Sequence, residues 1–132
     1  MKPSKINHLG IAVQDLDAAA QVYKTMGLTV EKIIEVPEQK VKVAFIPIGE
    51  STIELVQPTS ADSPIAGFLE KRGEGLHHLA LEVSDVQAAL DELGSKGVRL
   101  INETPREGAE GQIAFLHPKS TGRVLIELVE PE

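Results

Sequence analysis

Apolar and polar residues alternate along one stretch near the start of the chain, and a helical pattern follows it. From Leu9 onward, every second residue of Ile6–Val13 is a large apolar residue, which is typical of a half-buried β-strand. The next apolar residues recur at i, i+3, i+4 and i+7, which predicts a helix that begins after Asp15 and ends at Gly27. The pattern therefore predicts a strand followed by an amphipathic helix.

The same pattern returns 70 residues later with many of the same amino acids. The segment His8–Val30 aligns with His78–Leu100, and Ile53–Pro58 (IELVQP) aligns with Ile126–Pro131 (IELVEP) at an offset of 73. The identical pairs of the first alignment are His8/His78, Leu9/Leu79, Val13/Val83, Asp15/Asp85, Ala18/Ala88, Ala19/Ala89 and Gly27/Gly97. Two matches in the same order indicate that the chain contains two copies of one module.

Each copy continues with β-rich segments after its helix. In the second copy Ser84 and Gln87 have the spacing of a capping box, which predicts a helix start there. A short helix is predicted at Ile65–Lys71 and a flexible loop at Arg106–Gly111. The remaining predicted strands are Leu28–Val36, Val41–Ile48, Ser51–Gln57, Val98–Asn102, Gln112–His117 and Arg123–Val129.

This order of elements predicts an α+β fold made of two tandem βαβββ modules. We expect a single domain over 1–132, with module one at 6–58, a linker at 59–74 and module two at 75–131. The apolar face of each sheet must pack on its helix, so the other faces are expected to form an open, curled trough.

Composition narrows the classes of function. Twenty acidic against 13 basic residues give a net charge of −7, and aromatic residues make up 3%, which argues against nucleic-acid binding. The absence of cysteine excludes disulfides and thiolate metal sites. No apolar stretch approaches the roughly 20 residues of a membrane span, and the N-terminus does not resemble a signal peptide. We therefore expect a cytoplasmic domain that acts on a small molecule or a protein partner.

Four polar residues interrupt the apolar pattern of the strands, and the repeat relates them in pairs. His8 and His78 occupy the strand face opposite the predicted helices, whereas Glu54 and Glu127 stand inside apolar runs. A carboxylate in such a strand is costly to bury unless it is paired or binds a metal. The repeat therefore predicts that two histidines and two glutamates surround one point.

Two imidazoles and two carboxylates suit a divalent first-row metal, with two positions left if the ion is octahedral. By this argument Mn²⁺, Fe²⁺, Co²⁺, Ni²⁺ and Zn²⁺ are all compatible. The alternative is that both glutamates face solvent and recur only because the module was duplicated. The remaining histidines are interpreted differently: His77 as a structural residue on the helix side, and His117 as an exposed residue at the end of a strand.

These residues resemble the vicinal oxygen chelate (glyoxalase/bleomycin-resistance) superfamily, and more closely the methylmalonyl-CoA epimerase family, over essentially the whole chain. The most specific part is the combination of Glu-Gly-Leu-His-His with His-Pro-Lys and Val-Leu-Ile-Glu-Leu. The similarity is carried by Ile6–Val13 (INHLGIAV), Val36–Phe45 (VPEQKVKVAF), Ile53–Pro58 (IELVQP), Gly73–Val83 (GEGLHHLALEV), Asn102–Arg106 (NETPR), Phe115–Lys119 (FLHPK) and Val124–Leu128 (VLIEL).

The resemblance implies a metal-dependent interconversion of the two C2 epimers of methylmalonyl-CoA through a metal-stabilised enolate. It carries the metal ligands over to His8, Glu54, His78 and Glu127, with Co²⁺ or Mn²⁺ favoured and Ni²⁺, Fe²⁺ or Zn²⁺ possible. Some members have glutamine at the position of Glu54. Glu127 is also nominated as a catalytic acid/base, and a homodimer is expected because family members often form one.

The chain departs from the family pattern at one position. Some epimerases have a glutamate, proposed as one of two bases, where this chain has Val43. The group on the opposite face of C2 is therefore left open, with a water or Glu54 as candidates. Two other functions on the same fold stay open: a glyoxalase-I-like isomerase or lyase, and a metal-free protein that binds a drug. The four ligand-type residues argue against the drug-binding protein, and a fourth ligand at Glu54 argues against an iron dioxygenase, which would use two histidines and one carboxylate.

Overall fold

Eight strands and three α-helices make up the chain in the computed structural model, which describes residues 1–132. The α+β class and the two βαβββ modules are confirmed. No helix is both long and apolar enough to cross a membrane. In chain order the elements are β1 (Lys5–Ala12), α1 (Leu16–Thr25), β2 (Lys32–Val36), β3 (Val41–Ile48), β4 (Ser51–Pro58), α2 (Pro64–Arg72), β5 (Gly75–Glu82), α3 (Val86–Ser95), β6 (Arg106–Glu107), β7 (Gly111–Leu116) and β8 (Ile126–Pro131).

The chain divides into two compact units, and the two boundaries between them lie inside β1 and inside β5. The N-terminal unit is His8–His77, and the C-terminal unit is His78–Glu132 together with Met1–Asn7. In the C-terminal unit the first residues of the chain are held against the end of β5. The amide of Ser4 donates to the carbonyl oxygen of Glu82 at 2.9 Å, and the Nδ2 of Asn7 donates to its carboxylate at 2.8 Å.

The strands of the N-terminal unit lie in the order β2-β3-β4-β1. β1 runs parallel to β4, and the other neighbours are antiparallel. Helix α1 covers one face, and its first turn is capped by Asp15, which accepts from the amide of Ala18 at 3.1 Å. The buried core under this helix contains Val13, Leu16, Ala20, Ala44, Ile46 and Leu55.

The C-terminal unit repeats this arrangement with the order β5-β8-β7-β6 and with β5 parallel to β8. The cap of α3 is Asp85, which accepts from the amide of Ala88 at 3.0 Å. The predicted capping box at Ser84 and Gln87 is therefore wrong, because the aspartate one position later makes the bond. The core under α3 contains Val83, Val86, Ala89, Leu90, Ala114, Leu116 and Leu128.

A second bond, repeated in both units, ties each helix to the strand that carries a candidate glutamate. The Oε1 of Gln57 on β4 accepts from the amide of Leu16 at 2.7 Å. The Oε1 of Glu130 on β8 accepts from the amide of Val86 at 3.0 Å. Each bond satisfies a helix amide that has no partner within its helix, and it fixes the strand against the helix.

The structure corrects the predicted strand at Val98–Asn102. Only one isolated bridge forms there, between Leu100 and Leu116. The side-chain oxygen of Asn102 accepts from the amide of Phe115 at 2.8 Å and takes the place of a ladder bond. The edge strand is instead β6, which pairs with β7. The prediction of a loop over the whole of Arg106–Gly111 is therefore wrong at its first two residues and at Gly111, which begins β7.

Candidate active site

The N-terminal unit brings His8 and Glu54 together. Gly10 is in register with Glu54 across the parallel pair β1 and β4, so His8, two residues earlier, lies on the same sheet face as this glutamate. The Nδ1 of His8 is 3.0 Å from the Oε2 of Glu54. Their residues are 4% and 7% exposed, so the pair is almost fully buried.

The C-terminal unit contains the equivalent pair of His78 and Glu127. Here Ala80 is in register with Glu127 across β5 and β8, and the Nε2 of His78 is 3.2 Å from the Oε1 of Glu127. The residues are 7% and 5% exposed. Each unit therefore places one imidazole against one buried carboxylate.

Both pairs lie on the sheet face that the helix of their own unit does not cover. Leu55 and Leu128, the residues next to the two glutamates, belong to the cores under α1 and α3. Alternation along the strands then puts Glu54 and Glu127 on the other face. The interpretation that the glutamates face solvent is wrong, because a solvent-facing carboxylate would not be at least 93% buried.

Two phenylalanines stand beside the glutamates, and the sequence-based reasoning missed them. Phe45 is in register with Glu54 on the neighbouring strand, and Phe115 is in register with Glu127. The ring of Phe115 also packs edge-on against His78, with the ring centroids 6.0 Å apart. The signal was present in the repeat, because these two phenylalanines are 70 residues apart, the same offset as the two histidines.

Small and branched apolar residues complete this face in each unit. In the C-terminal unit, Ala80, Ile113 and Val129 form a buried cluster against which Phe115 packs. In the N-terminal unit, the in-register residues Val43 and Val56 are 3% and 5% exposed on the face of Glu54. Carboxylates with such neighbours interact strongly with any cation or proton donor, because little water screens them.

The other two histidines have different surroundings. His77 packs edge-on against Phe68 of α2, with the ring centroids 4.9 Å apart, as expected of a structural residue. The Nδ1 of His117 accepts from the backbone amide of Lys119 at 3.1 Å, so this ring caps the short 3-10 helix Pro118–Ser120.

Comparison with known proteins supports these observations. The profile of the Glyoxalase/Bleomycin resistance protein/Dioxygenase superfamily matches residues 7–117. The human mitochondrial methylmalonyl-CoA epimerase is 43% identical over 127 residues, which cover 94% of this chain and 72% of that protein. The chain belongs to the methylmalonyl-CoA epimerase family. Its enzyme class is accordingly that of an epimerase, and its fold is that of the superfamily.

Solved structures of methylmalonyl-CoA epimerases match nearly the whole chain. The enzyme from Mycobacterium tuberculosis has a TM-score of 0.94 at 41% identity, covering 98% of this chain and 89% of that chain. A variant of the Streptomyces coelicolor enzyme in complex with 2-nitronate-propionyl-CoA has a TM-score of 0.92 at 40% identity, covering 97% and 94%. Membership of this family therefore includes both modules.

Proposed function

We propose that this protein epimerises methylmalonyl-CoA at C2 and that it needs a divalent metal ion to do so. The observation that carries the proposal is the duplicated buried pair, His8 with Glu54 and His78 with Glu127, in a chain of the methylmalonyl-CoA epimerase family. An epimerase must remove a proton from carbon and return it, which requires a base and stabilisation of the resulting negative charge.

The donor set fits a divalent ion. If both imidazoles are neutral, two buried carboxylates leave a charge that one divalent cation would neutralise. Two donor atoms that are each about 2.1 Å from one ion and at right angles are about 3.0 Å apart. The N–O distances within the two pairs are 3.0 and 3.2 Å.

We propose His8, His78 and Glu127 as the core of this site, because the three side chains are buried and the repeat relates the two histidines. Glu54 would be the fourth ligand, since it contacts His8 and corresponds to Glu127 in the repeat. Co²⁺ or Mn²⁺ as the ion, a homodimer and a cytoplasmic location stay predictions of the family resemblance.

The substrate chemistry explains what such a site would do. The C2 proton of methylmalonyl-CoA lies between a thioester and a carboxylate, so it becomes removable once the charge left behind is stabilised. A bound divalent ion would supply that stabilisation as a Lewis acid. The 2-nitronate-propionyl-CoA bound by the Streptomyces coelicolor variant carries a flat anionic group at the corresponding carbon, as an enolate would.

The residues of this chain would position the substrate and move the proton. Glu127 is our candidate acid/base, held by His78 on one side and next to Phe115 on the other. The phenyl rings and the valines of this face would exclude water from the carbanion. The group that serves the opposite face of C2 is not a glutamate at position 43, since Val43 stands there; Glu54 or a water is the candidate.

Deuterium exchange tests the proposal directly. In heavy water, the protein should introduce deuterium at C2 of either epimer of methylmalonyl-CoA, and a chelator should abolish the exchange until Co²⁺ or Mn²⁺ is restored. The hemithioacetal of glutathione and methylglyoxal serves as the substrate of a glyoxalase-type isomerase. Turnover of the hemithioacetal without exchange in methylmalonyl-CoA would contradict the proposed substrate, and exchange that is insensitive to chelation would contradict the metal.

A further inference from the structure

The connection between β7 and β8 is longer than its counterpart in the first module. Strands β3 and β4 are joined by Gly49 and Glu50 alone, whereas nine residues, 117–125, join β7 and β8. We call residues 117–125 the β7–β8 loop. It carries Lys119 and Arg123, and no residue of the tight β3–β4 turn is basic.

Backbone and hydroxyl bonds hold this loop in one shape and bring a third basic residue to it. The amide of His117 donates to the carbonyl of Arg99, and the amide of Arg99 donates to the Oγ of Ser120, both at 2.9 Å. The amide of Arg123 donates to the carbonyl of Pro118 at 2.8 Å, although Arg123 has a left-handed φ of 69°. Arg99, Lys119 and Arg123 therefore belong to one hydrogen-bonded substructure.

The loop and the segments beside it carry a net positive charge, although the protein as a whole is acidic. The segments Ser95–Asn102 and Gly111–Ile126 together contain four lysines and arginines and no aspartate or glutamate, in a chain of net charge −7. Arg99, Lys119 and Arg123 are exposed and form none of the ion pairs of the structure. Their charges are available to an anion from solution.

The loop also borders the candidate active site in the same unit. Its last residue, Leu125, accepts at its carbonyl from the amide of Leu79 at 3.0 Å, next to His78. One residue separates Leu125 from Glu127. The last residue of the loop is therefore adjacent to the parts of β5 and β8 that carry His78 and Glu127.

We propose that the β7–β8 loop, together with Arg99, binds the phosphate groups of the coenzyme A part of the substrate, an inference that rests on the proposed function. Coenzyme A carries a pyrophosphate and a further phosphate, which a chain of net negative charge would otherwise repel. Arginine binds phosphate through two parallel hydrogen bonds, and lysine adds a compact positive charge. The loop thus holds the coenzyme A part of the thioester, while the two His–Glu pairs act on its acyl group.

The test removes the positive charges of Lys119 and Arg123 from the full chain, which is assayed with a divalent metal ion added. In the double variant Lys119→Gln/Arg123→Asn, asparagine tolerates the left-handed backbone of Arg123. We expect the KM for methylmalonyl-CoA to rise about tenfold with little change in kcat, as expected for the loss of two exposed charge contacts. Methylmalonyl-pantetheine, which lacks the phosphate groups, should show no such rise. Lys24→Gln, which removes an exposed charge from α1, is the matched control and should leave both KM values unchanged.

Each outcome separates this inference from the proposed function. If the double variant raises the KM equally for the two thioesters, or for neither, phosphate binding by the loop is wrong. The variant Lys119→Gln/Arg123→Lys keeps one of the two loop charges. If its KM for methylmalonyl-CoA lies closer to the wild-type value than that of the double variant without loop charges, the inference gains support. A wild-type protein that turns over neither thioester would overturn the proposed substrate.

Discussion

At the scale of single residues, two adjacent histidines have different surroundings because successive side chains of a strand point to opposite faces. His78 is 7% exposed and contacts Glu127, whereas His77 packs on Phe68 of α2. Only His78 is therefore in a position to hold an ion with Glu127. Sequence adjacency says nothing about shared function in a β-strand.

The first prediction uses this contrast. His78→Ala should remove bound metal and abolish C2 proton exchange, because it deletes one of the two imidazole ligands that we propose. His77→Ala should keep the metal and most of the activity and lower the melting temperature, since it removes the ring packed on Phe68. Metal content per chain, measured beside the exchange rate, tells the two apart. Loss of metal only in the His77 variant would contradict our assignment of the strand faces.

The second prediction concerns the two glutamates. The repeat makes Glu54 and Glu127 equivalent, but a bound substrate would place its C2 nearer to one of the two carboxylates. Glu127→Gln keeps an oxygen able to bind metal but supplies no useful base, so the exchange rate should fall by about 10²–10⁴-fold at near-normal metal occupancy. Glu54→Gln should cost far less, because we assign Glu54 as a ligand. The exchange of each epimer is followed separately at saturating metal. Equal, small losses in both variants would mean that the base lies elsewhere.

At the scale of elements, an ion pair ties the segment before α2 to the turn before β3. The ammonium of Lys40 donates to Asp62, which also accepts from the hydroxyl of Ser60 at 2.5 Å. The bond from Lys40, and after it the bond from Ser60, lowers the pKa of Asp62 from 3.8 to about 2. Both residues are exposed, so the pair orients the connection and contributes little to stability.

The third prediction follows from the direction of this pKa shift. Because the pKa of Asp62 is lower in the folded state, the contact favours folding above pH of about 4, and this contribution is lost as the pH falls towards 2. Carbon-detected NMR titration of the Asp62 carboxylate should give a midpoint near pH 2. In Lys40→Gln the midpoint should return towards the ordinary value for aspartate. An unchanged midpoint in this variant would show that Lys40 is not the main cause.

The edge of the C-terminal unit shows a second effect at this scale. Asn102 bonds to the amide of Phe115 with its side chain, and the ladder resumes only at Arg106–Glu107. A run of β-branched and apolar residues before Asn102 suggested a strand, but one side-chain oxygen replaced the backbone partner. The side chain of Asn102 competes with the backbone for the amide of Phe115. Because Phe115 is 13 positions away in the chain, the sequence around Asn102 does not reveal this competition.

At the scale of the whole molecule, the proposed ion would connect metal binding to folding. An ion that binds only the folded state at 100 times its dissociation constant adds about 2.7 kcal/mol to the free energy of unfolding. The fourth prediction is therefore that chelation lowers the melting temperature and that added Co²⁺ or Mn²⁺ restores it. The variant His8→Ala/His78→Ala should melt at the same temperature with and without metal. Identical melting of apo and metal-loaded wild-type protein would contradict a site that includes His8, Glu54, His78 and Glu127.

Much of the fold could be predicted from the sequence, because the spacing of apolar residues that indicates strands and helices is a local pattern. The repeat identified two modules, and β3 was predicted with the bounds Val41–Ile48 that the structure has. Alternation along each strand predicted that His8 and His78 lie away from the helices, and this needs no knowledge of the partner strand. The caps at Asp15 and the left-handed Gly27 likewise depend on neighbouring residues alone.

Tertiary structure decided what depends on strand register and on distant partners. Phe45 and Phe115 lie beside the glutamates because β3 and β7 pair with β4 and β8 in one register, and a shift of one residue would turn them to the other face. The same register places a nitrogen of each histidine 3.0 or 3.2 Å from its glutamate. Such contacts arise from hydrogen bonds between segments far apart in the chain, and no local pattern of apolar residues specifies them.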